Sequence, residues 1–231
     1  MGSKKAIILF SGGLDSTTVL HHALSKGYEC IALSIDYNQR HIYEIESSKK
    51  YLEKFKIASK VFKVDLTQIG GSALTDTNID VPKKNDNGIP ITYVPARNTI
   101  FLSIASAYAE SMSIENIFIG VNQIDYSGYP DCRPEFISSF EDTINLGTKF
   151  GVEKGKLIIN TPLINMSKKD IIKYGYSLGI DYSLTVSCYN LDNHGRACGS
   201  CDSCEFRRQG FELAGIKDPT HYKNWKNIKF I

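Results

Sequence analysis

Ala6-Ile7-Ile8-Leu9-Phe10-Ser11-Gly12-Gly13-Leu14-Asp15-Ser16 is the stretch on which the reading of this chain turns. Its five leading apolar residues predict a buried strand. From Ser16 to Ser25 the spacing is helical, with Val19, Leu20 and Ala23 on one face. Between strand and helix, paired glycines let the backbone turn with its amide hydrogens pointing inward, and the helix adds the positive end of its dipole. Such a pocket suits polyphosphate: amides around Gly12 to Ser16 and the hydroxyls of Ser11 and Ser16 are the expected donors. It is not a Walker loop, because the Gly-x-x-x-x-Gly-Lys-Ser/Thr spacing is missing. The competing reading is an ordinary strand-to-helix turn with serine as N-cap.

The same alternation continues outward. Cys30 to Ile35 predicts a second strand ending at Asp36, Glu44 to Phe55 a helix, and Lys60 to Val64 a short strand. Beyond these come a helix at Asn98 to Met112, a strand at Asn116 to Val121, a helix at Pro134 to Phe150, a strand at Leu157 to Ile159, and a helix from Ser167, its N-cap, to Leu178. Near-continuous apolar strands alternating with helices predict an α/β fold, a Rossmann-like parallel sheet with helices on both faces. Between Asp65 and Pro95 the pattern breaks down among turn formers, which predicts a surface excursion, a candidate lid or else an irregular loop.

The chain has 231 residues and a formal net charge of +2, so no global field calls for nucleic acid or a membrane as partner. No apolar run is long enough to span a bilayer, and the N-terminal one is too short for a signal peptide, so a cytoplasmic enzyme is expected. Of six cysteines, Cys188, Cys198, Cys201 and Cys204 cluster late in the chain, the last three in Cys-x-x-Cys-x-x-Cys spacing. That points to a closed structural Zn²⁺ site, with an iron–sulfur cluster as the chemical rival. The expected organisation is an α/β domain over 1–186, with a four-cysteine zinc-binding segment and tail over 187–231 packed on it.

Ligands of open parallel sheets bind beyond the carboxyl ends of the strands, so the loops there are candidate walls. Asp15 is odd in an anion pocket: it either helps hold Mg²⁺ or caps the helix. After the second strand, Arg40 and His41 could meet phosphate or carboxylate. Arg97 and Asn98, at a helix start, are candidate nucleotide contacts, since arginine there opposes the dipole unless an anion lies between. The Asn122–Arg133 loop suits a flat polar heterocycle: Asp125 or Asp131 to read an edge, a tyrosine such as Tyr126 to stack, Arg133 to pair with a carboxylate. Cys132 could serve as a nucleophile but reads more readily as buried and structural; one lysine of Lys168-Lys169 near a transferring phosphate would be useful, but two adjacent lysines at a helix start more often face solvent.

The Ser11–Ser16 string resembles the PP-loop of the N-type ATP pyrophosphatases, enzymes with an adenine nucleotide alpha hydrolase-like fold. Together with Asp36-Tyr37-Asn38-Gln39-Arg40-His41, Val94-Pro95-Ala96-Arg97-Asn98, Asp125 to Arg133, Thr161-Pro162-Leu163 and the four cysteines, it makes nearly the whole chain resemble the 7-cyano-7-deazaguanine synthase family of queuosine biosynthesis. Asn38 and Ala96 depart from the family pattern, which has glycine at both. The resemblance implies a cytoplasmic, homodimeric ligase acting on 7-carboxy-7-deazaguanine, ATP and ammonium, with no direct nucleic-acid contact. It implies ATP over Phe10, Ser11, Gly12, Gly13, Leu14, Asp15, Ser16, Thr17, Thr18, Val19, Leu20, Arg97 and Asn98. Substrate would meet Arg40, His41, Asp125, Tyr126, Asp131 and Arg133, with Asp15, Arg97 and Arg133 catalytic. Zn²⁺ on the four cysteines and Mg²⁺ with ATP complete the set. The rival readings are a tRNA-modifying PP-loop enzyme and a non-enzymatic zinc-ribbon binder.

Overall fold

A computed structural model describes residues 4–39, 43–82, 88–122 and 128–223. Five parallel strands form one sheet: β1 (Lys4–Leu9), β2 (Tyr28–Asp36), β3 (Ala58–Lys63), β4 (Asn116–Phe118) and β5 (Ile158–Asn160). Their spatial order is β3-β2-β1-β4-β5. Ile7 of β1 pairs with Ile31 on one side and with Ile117 on the other. The helices are α1 (Leu14–Ser25), α2 (Tyr43–Lys54), α3 (Arg97–Ser111), α4 (Pro134–Gly147), α5 (Lys149–Glu153), α6 (Lys168–Ser177) and α7 (Asp202–Ala214).

Alternation along the strands sorts the core into two layers. Ile7 and Leu9 of β1 and Leu33 and Ile35 of β2 face Leu102 and Ala105 of α3 and Ile137 and Phe140 of α4. Ala6 and Ile8, with Cys30 and Ala32, face Val19 and Leu20 of α1, Leu52 of α2, Ile171 of α6 and Phe211 of α7. The period of two therefore places helices on both faces of the sheet, as the sequence pattern predicts. Phe211 belongs to the same core layer as β1, so the helix that follows the cysteine cluster packs on the sheet domain. Burial on that layer pushes the Cys30 thiol up to about 12. Among the described residues, no helix is long and apolar enough to cross a membrane.

The order of strand addition switches sides at β1. The chain first builds outward through β2 to β3, then returns through α3 to place β4 on the other flank of β1. A crevice opens at the carboxyl ends where neighbouring crossovers diverge, the general ligand position in such sheets. The loop after β1 lies at that point.

One expectation is revised. The helix predicted over Pro134 to Phe150 is broken at Thr148, whose backbone is extended (φ −115°, ψ 149°) and whose hydroxyl accepts from the Gly151 N–H at 3.2 Å, capping α5. The excursion forms no helix or strand among its described residues, in line with the irregular-loop alternative, and it is anchored at Leu66, Ser72, Ala73 and Leu74, which are buried, the Ala73 N–H donating to the Ile91 carbonyl at 2.9 Å. That anchoring makes Leu74 a fixed piece of wall.

Candidate active site

The Ser11–Ser16 loop leaves β1 through Gly12, at φ +78°. A Cβ there would lie 3.0 Å from Ser48 Cβ on α2, so both the left-handed backbone and the close approach require glycine. Gly13, not a serine, is the N-cap of α1, and no side chain caps the helix. The loop is held instead by its own hydroxyls: Ser16 Oγ accepts from the Ser11 N–H at 3.2 Å and donates to the Gly13 carbonyl at 3.2 Å. Leu14 N–H reaches Ser187 Oγ at 3.4 Å. The amides of Asp15 and Ser16 find no acceptor among the described residues, which leaves two donors aimed out of the helix end.

A cavity of about 290 Å³ lies over this loop, near the lower end for small-molecule sites. One wall is polar, with Ser11, Gly13, Asp15, Ser16, Ser48, Lys168 and Ser187. The other is aromatic, with Tyr37, Phe101, Tyr129 and Tyr189 around Arg97. Arg97 is half-buried at the start of α3, and its guanidinium has no carboxylate or hydrogen-bond partner among the described residues. Desolvation works against its charge, but the facing groups of Tyr37, Tyr189, Tyr129 and Cys132 more than offset this and hold its pKa above the ordinary arginine value. A lone guanidinium beside a helix N-terminus is an arrangement that a bound anion completes.

Asn98 lines the same cavity, with its side chain committed to the fold. Its Nδ2 donates to the Asp131 carbonyl at 3.2 Å and to Cys132 Sγ at 3.1 Å. Asp131 is buried and accepts from the Asn98 backbone N–H at 2.8 Å, so this carboxylate caps α3. Cys132 is buried in the cavity wall. Arg133 is exposed at the N-cap of α4 and does not line the cavity. Thr17, Thr18, Val19 and Leu20 are buried beneath the loop and do not line it either; Thr18 Oγ1 lies 2.7 Å from the Tyr182 hydroxyl. Arg40, His41, Asp125 and Tyr126 lie outside the described residues.

Asp15 is neither a helix cap nor a bare ligand. Lys168 Nζ donates to both of its carboxylate oxygens, at 2.7 and 2.9 Å, and Asn122 Nδ2 donates to Oδ2 at 3.3 Å. With both oxygens engaged by an ammonium, this carboxylate does not fit a direct Mg²⁺ ligand. The expectation that Lys168 faces solvent is corrected. As the first residue of α6, capped by Ser167, it turns inward onto Asp15 of the glycine turn.

The residues on which the sequence differs from the family pattern both sit in left-handed backbone, Asn38 at φ 58° and Ala96 at φ 52°. Asparagine tolerates this region, whereas alanine is strained there by roughly 1–2 kcal/mol. Ala96→Gly is therefore expected to stabilise the protein by about 1 kcal/mol and to raise Tm by about 2–4 °C in a thermal melt. An unchanged or lower Tm would contradict the strain.

The four cysteines converge. Their sulfur atoms all lie within 4.8 Å of one another, and Cys198 Sγ and Cys204 Sγ are 3.9 Å apart. A tetrahedral ion with bonds of about 2.3 Å spaces its sulfurs by about 3.8 Å, so the group could hold a single metal ion. Backbone N–H groups of Asn190 and Cys198 reach Cys188 Sγ, both at 3.2 Å, and those of Ser200 and Cys201 reach Cys198 Sγ at 3.4 and 3.3 Å. Such donors favour thiolates.

This segment also completes the cavity, which its sequence did not suggest. The Val186 N–H donates to the Gly12 carbonyl at 3.1 Å, and Ser203 Oγ donates to the Ser187 carbonyl. Arg207, buried, pairs with Asp218 at 3.2 Å and donates to Thr185 Oγ1 at 2.8 Å, Ser187 Oγ at 3.4 Å and the Tyr182 carbonyl at 2.9 Å. Ser187, Tyr189, Ser203, Phe206 and Arg207 all line the cavity. The only advance signal was that the cysteines flank them.

A family model described as queuosine biosynthesis protein QueC matches residues 5–215. The chain is similar to the 7-cyano-7-deazaguanine synthase of Cellvibrio japonicus, 56% identical over 96% of this chain and 99% of that one. It is 58% identical to the 7-cyano-7-deazaguanine synthase of Saccharophagus degradans over 97% of this chain and 100% of the other. Among solved structures, the predicted subunit of tRNA methyltransferase from Methanocaldococcus jannaschii aligns with a TM-score of 0.51 at 16% identity, covering 96% of this chain and 94% of that one. That likeness concerns the fold alone.

Proposed function

The chain belongs to the queuosine biosynthesis protein QueC family, ATP-using ligases that form a carbon–nitrogen bond, and on that premise we propose that its cavity converts 7-carboxy-7-deazaguanine and ammonia into 7-cyano-7-deazaguanine through an acyl adenylate and an amide. One observation carries the reading: two unclaimed anion-binding features, the Asp15 and Ser16 amides and the Arg97 guanidinium, share one cavity. Adenylation needs just such a pair, because it brings a carboxylate against a polyphosphate, two anions that repel each other unless each is neutralised.

The flat bicyclic acid lies against Tyr37, Phe101, Tyr129 and Tyr189 with its carboxylate on Arg97. ATP, entering with Mg²⁺ as part of the substrate, rests its phosphates on the start of α1. A carboxylate oxygen attacks the α-phosphorus, the bond to the β-phosphate oxygen breaks, and pyrophosphate leaves along the Ser11–Ser16 loop. Ammonia then adds to the acyl carbon, AMP departs with its electron pair, and a proton passes to solvent, leaving the amide. In a second round the amide oxygen attacks another ATP. Loss of AMP and the remaining nitrogen protons leaves the nitrile. One pocket serves both rounds because each uses an oxygen on the same carbon, and positioning supplies much of the rate. Asp131 and Asn98 act by shaping the loop that carries Tyr129.

The cysteine segment over 187–231 holds Zn²⁺ in this reading, on Cys188, Cys198, Cys201 and Cys204, with a structural role because all four positions are filled by protein. It packs on the 1–186 domain as one wall of the active site. Purified enzyme given acid, ammonium and ATP is expected to form two AMP and two pyrophosphate for each nitrile, and none without the acid. Formation of ADP and orthophosphate, or a requirement for tRNA, would overturn the assignment.

A further inference from the structure

We propose that the Ser187 hydroxyl, contributed by the cysteine segment, donates a hydrogen bond to the polyphosphate and so adds a side-chain donor to the two free amides of the glycine turn. The inference rests on the reading of the cavity as an adenylation site.

A serine hydroxyl carries one hydrogen and two lone pairs. Both lone pairs of Ser187 Oγ are faced by N–H donors, the Leu14 amide at 3.4 Å and Arg207 Nη1 at 3.4 Å. Neither donor can take the Ser187 hydrogen in return, because an amide nitrogen and a guanidinium accept nothing. No other described residue accepts it. Ser187 lines the cavity, so its O–H is a donor that the protein leaves without an acceptor. A phosphate oxygen, which accepts only, is its complement. With both lone pairs engaged, the hydroxyl does not suit a metal ion.

Its position selects the phosphates rather than the acid. Leu14 opens α1, and the next two amides, those of Asp15 and Ser16, are the free ones. A Cβ on Gly13 would lie 3.9 Å from the same Ser187 Oγ. Ser187 therefore takes up the Leu14 donor and offers an O–H beside its two neighbours. The residue is also held still. Its carbonyl accepts from Ser203 Oγ, and the preceding Val186 N–H donates to the Gly12 carbonyl at 3.1 Å. Arg207, 3% exposed, is fixed by Asp218 at 3.2 Å, whose other oxygen accepts from the Tyr222 hydroxyl at 2.6 Å.

Calorimetric titration of magnesium pyrophosphate, and separately of AMP, into the full-length protein tests this, with thermal melts to follow folding. Ser187→Ala removes the hydrogen and is expected to weaken pyrophosphate binding by about 10–100-fold, the usual contribution of a hydrogen bond to a charged group. AMP, which lacks the phosphates laid along the turn, should change by less than about threefold. The proposal stands if pyrophosphate weakens at least about fivefold more than AMP. A smaller difference, an equal loss of both included, means that Ser187 shapes the site without touching the phosphates, and the proposal falls. Ser187→Cys carries the same criterion if the alanine variant fails to fold: its sulfur keeps an acceptor before Leu14 and Arg207 but donates only weakly. Wild-type protein that binds pyrophosphate yet makes no AMP from acid and ATP refutes the adenylation reading alone. Wild-type protein that makes AMP while Ser187→Ala binds pyrophosphate normally refutes this assignment alone, and a wild type that binds no pyrophosphate overturns both.

Discussion

Arg97→Met enzyme is expected to lose about 100-fold or more in kcat/KM for the deazapurine acid, with KM for ATP changed by no more than about threefold. Removing one partner of a desolvated charge pair costs about 2–5 kcal/mol, and each 1.4 kcal/mol is about a factor of ten. The full cost applies here because the guanidinium is half-buried among Tyr37, Tyr129 and Tyr189, with no carboxylate from the described protein to share it. The same fact protects the fold. No protein charge is orphaned by the change, and a cation at the positive end of α3 is lost, so Tm should hold or rise slightly. Steady-state kinetics with each substrate varied in turn separates the outcomes: an equal loss in both KM values would move Arg97 from the acid to the interface with ATP, and unchanged kinetics would remove it from the site.

The second large effect is expected from Cys201→Ser. Metal analysis of the purified variant should find well under one ion per chain, and Tm should fall by about 10 °C. That figure follows from a loss of about 4 kcal/mol, in the range reserved for losing a metal, at about 2–4 °C per kcal/mol for a chain of this size. Cys201 is buried and is the N-cap of α7, so the damage spreads along a defined route. Ser203 leaves the Ser187 carbonyl, Ser187 leaves the Leu14 amide, and Arg207 loses its frame around Tyr182 and Thr185. ATP affinity should therefore weaken along with stability, although no cysteine of the cluster touches the phosphates. A full equivalent of metal in the variant would exclude the four-sulfur assignment.

Much of the candidate site was readable in advance. Gly12 to Ser16 announced a tight glycine turn between strand and helix because an apolar run, a glycine pair and a helical repeat are contiguous in the chain. Arg97 was readable because an arginine at a helix start sits against the dipole. The two positions singled out as departures from the family pattern, Asn38 and Ala96, both have left-handed backbone, and at Ala96 this is a strain. Other residues were not readable. Lysines at a helix start usually face water, and nothing near Lys168 distinguishes it from Lys169. Asp131, expected at the heterocycle, caps α3 instead, because a buried carboxylate is satisfied first by the nearest unpaired amides. Arg133, two residues on, is exposed, since the turn at Pro130–Cys132 points it away from the cavity lining.

Patterns of period two and 3.6 residues, turn chemistry and cysteine spacing are local properties of a chain, and from them alone followed the parallel sheet, its two helical layers, the glycine turn after β1 and a cysteine quartet that could hold a metal ion. Strand order was not among them. Only the folding of α3 and β4 back across β1 brought Lys168 to Asp15, 153 residues earlier, and set the wall formed by Ser187 and Arg207 over the glycine turn. A contact between distant segments depends on which strands become neighbours and on small vacancies such as the one Gly210 leaves beside the Lys168 stem, and neither leaves a trace in the periodicity of either segment.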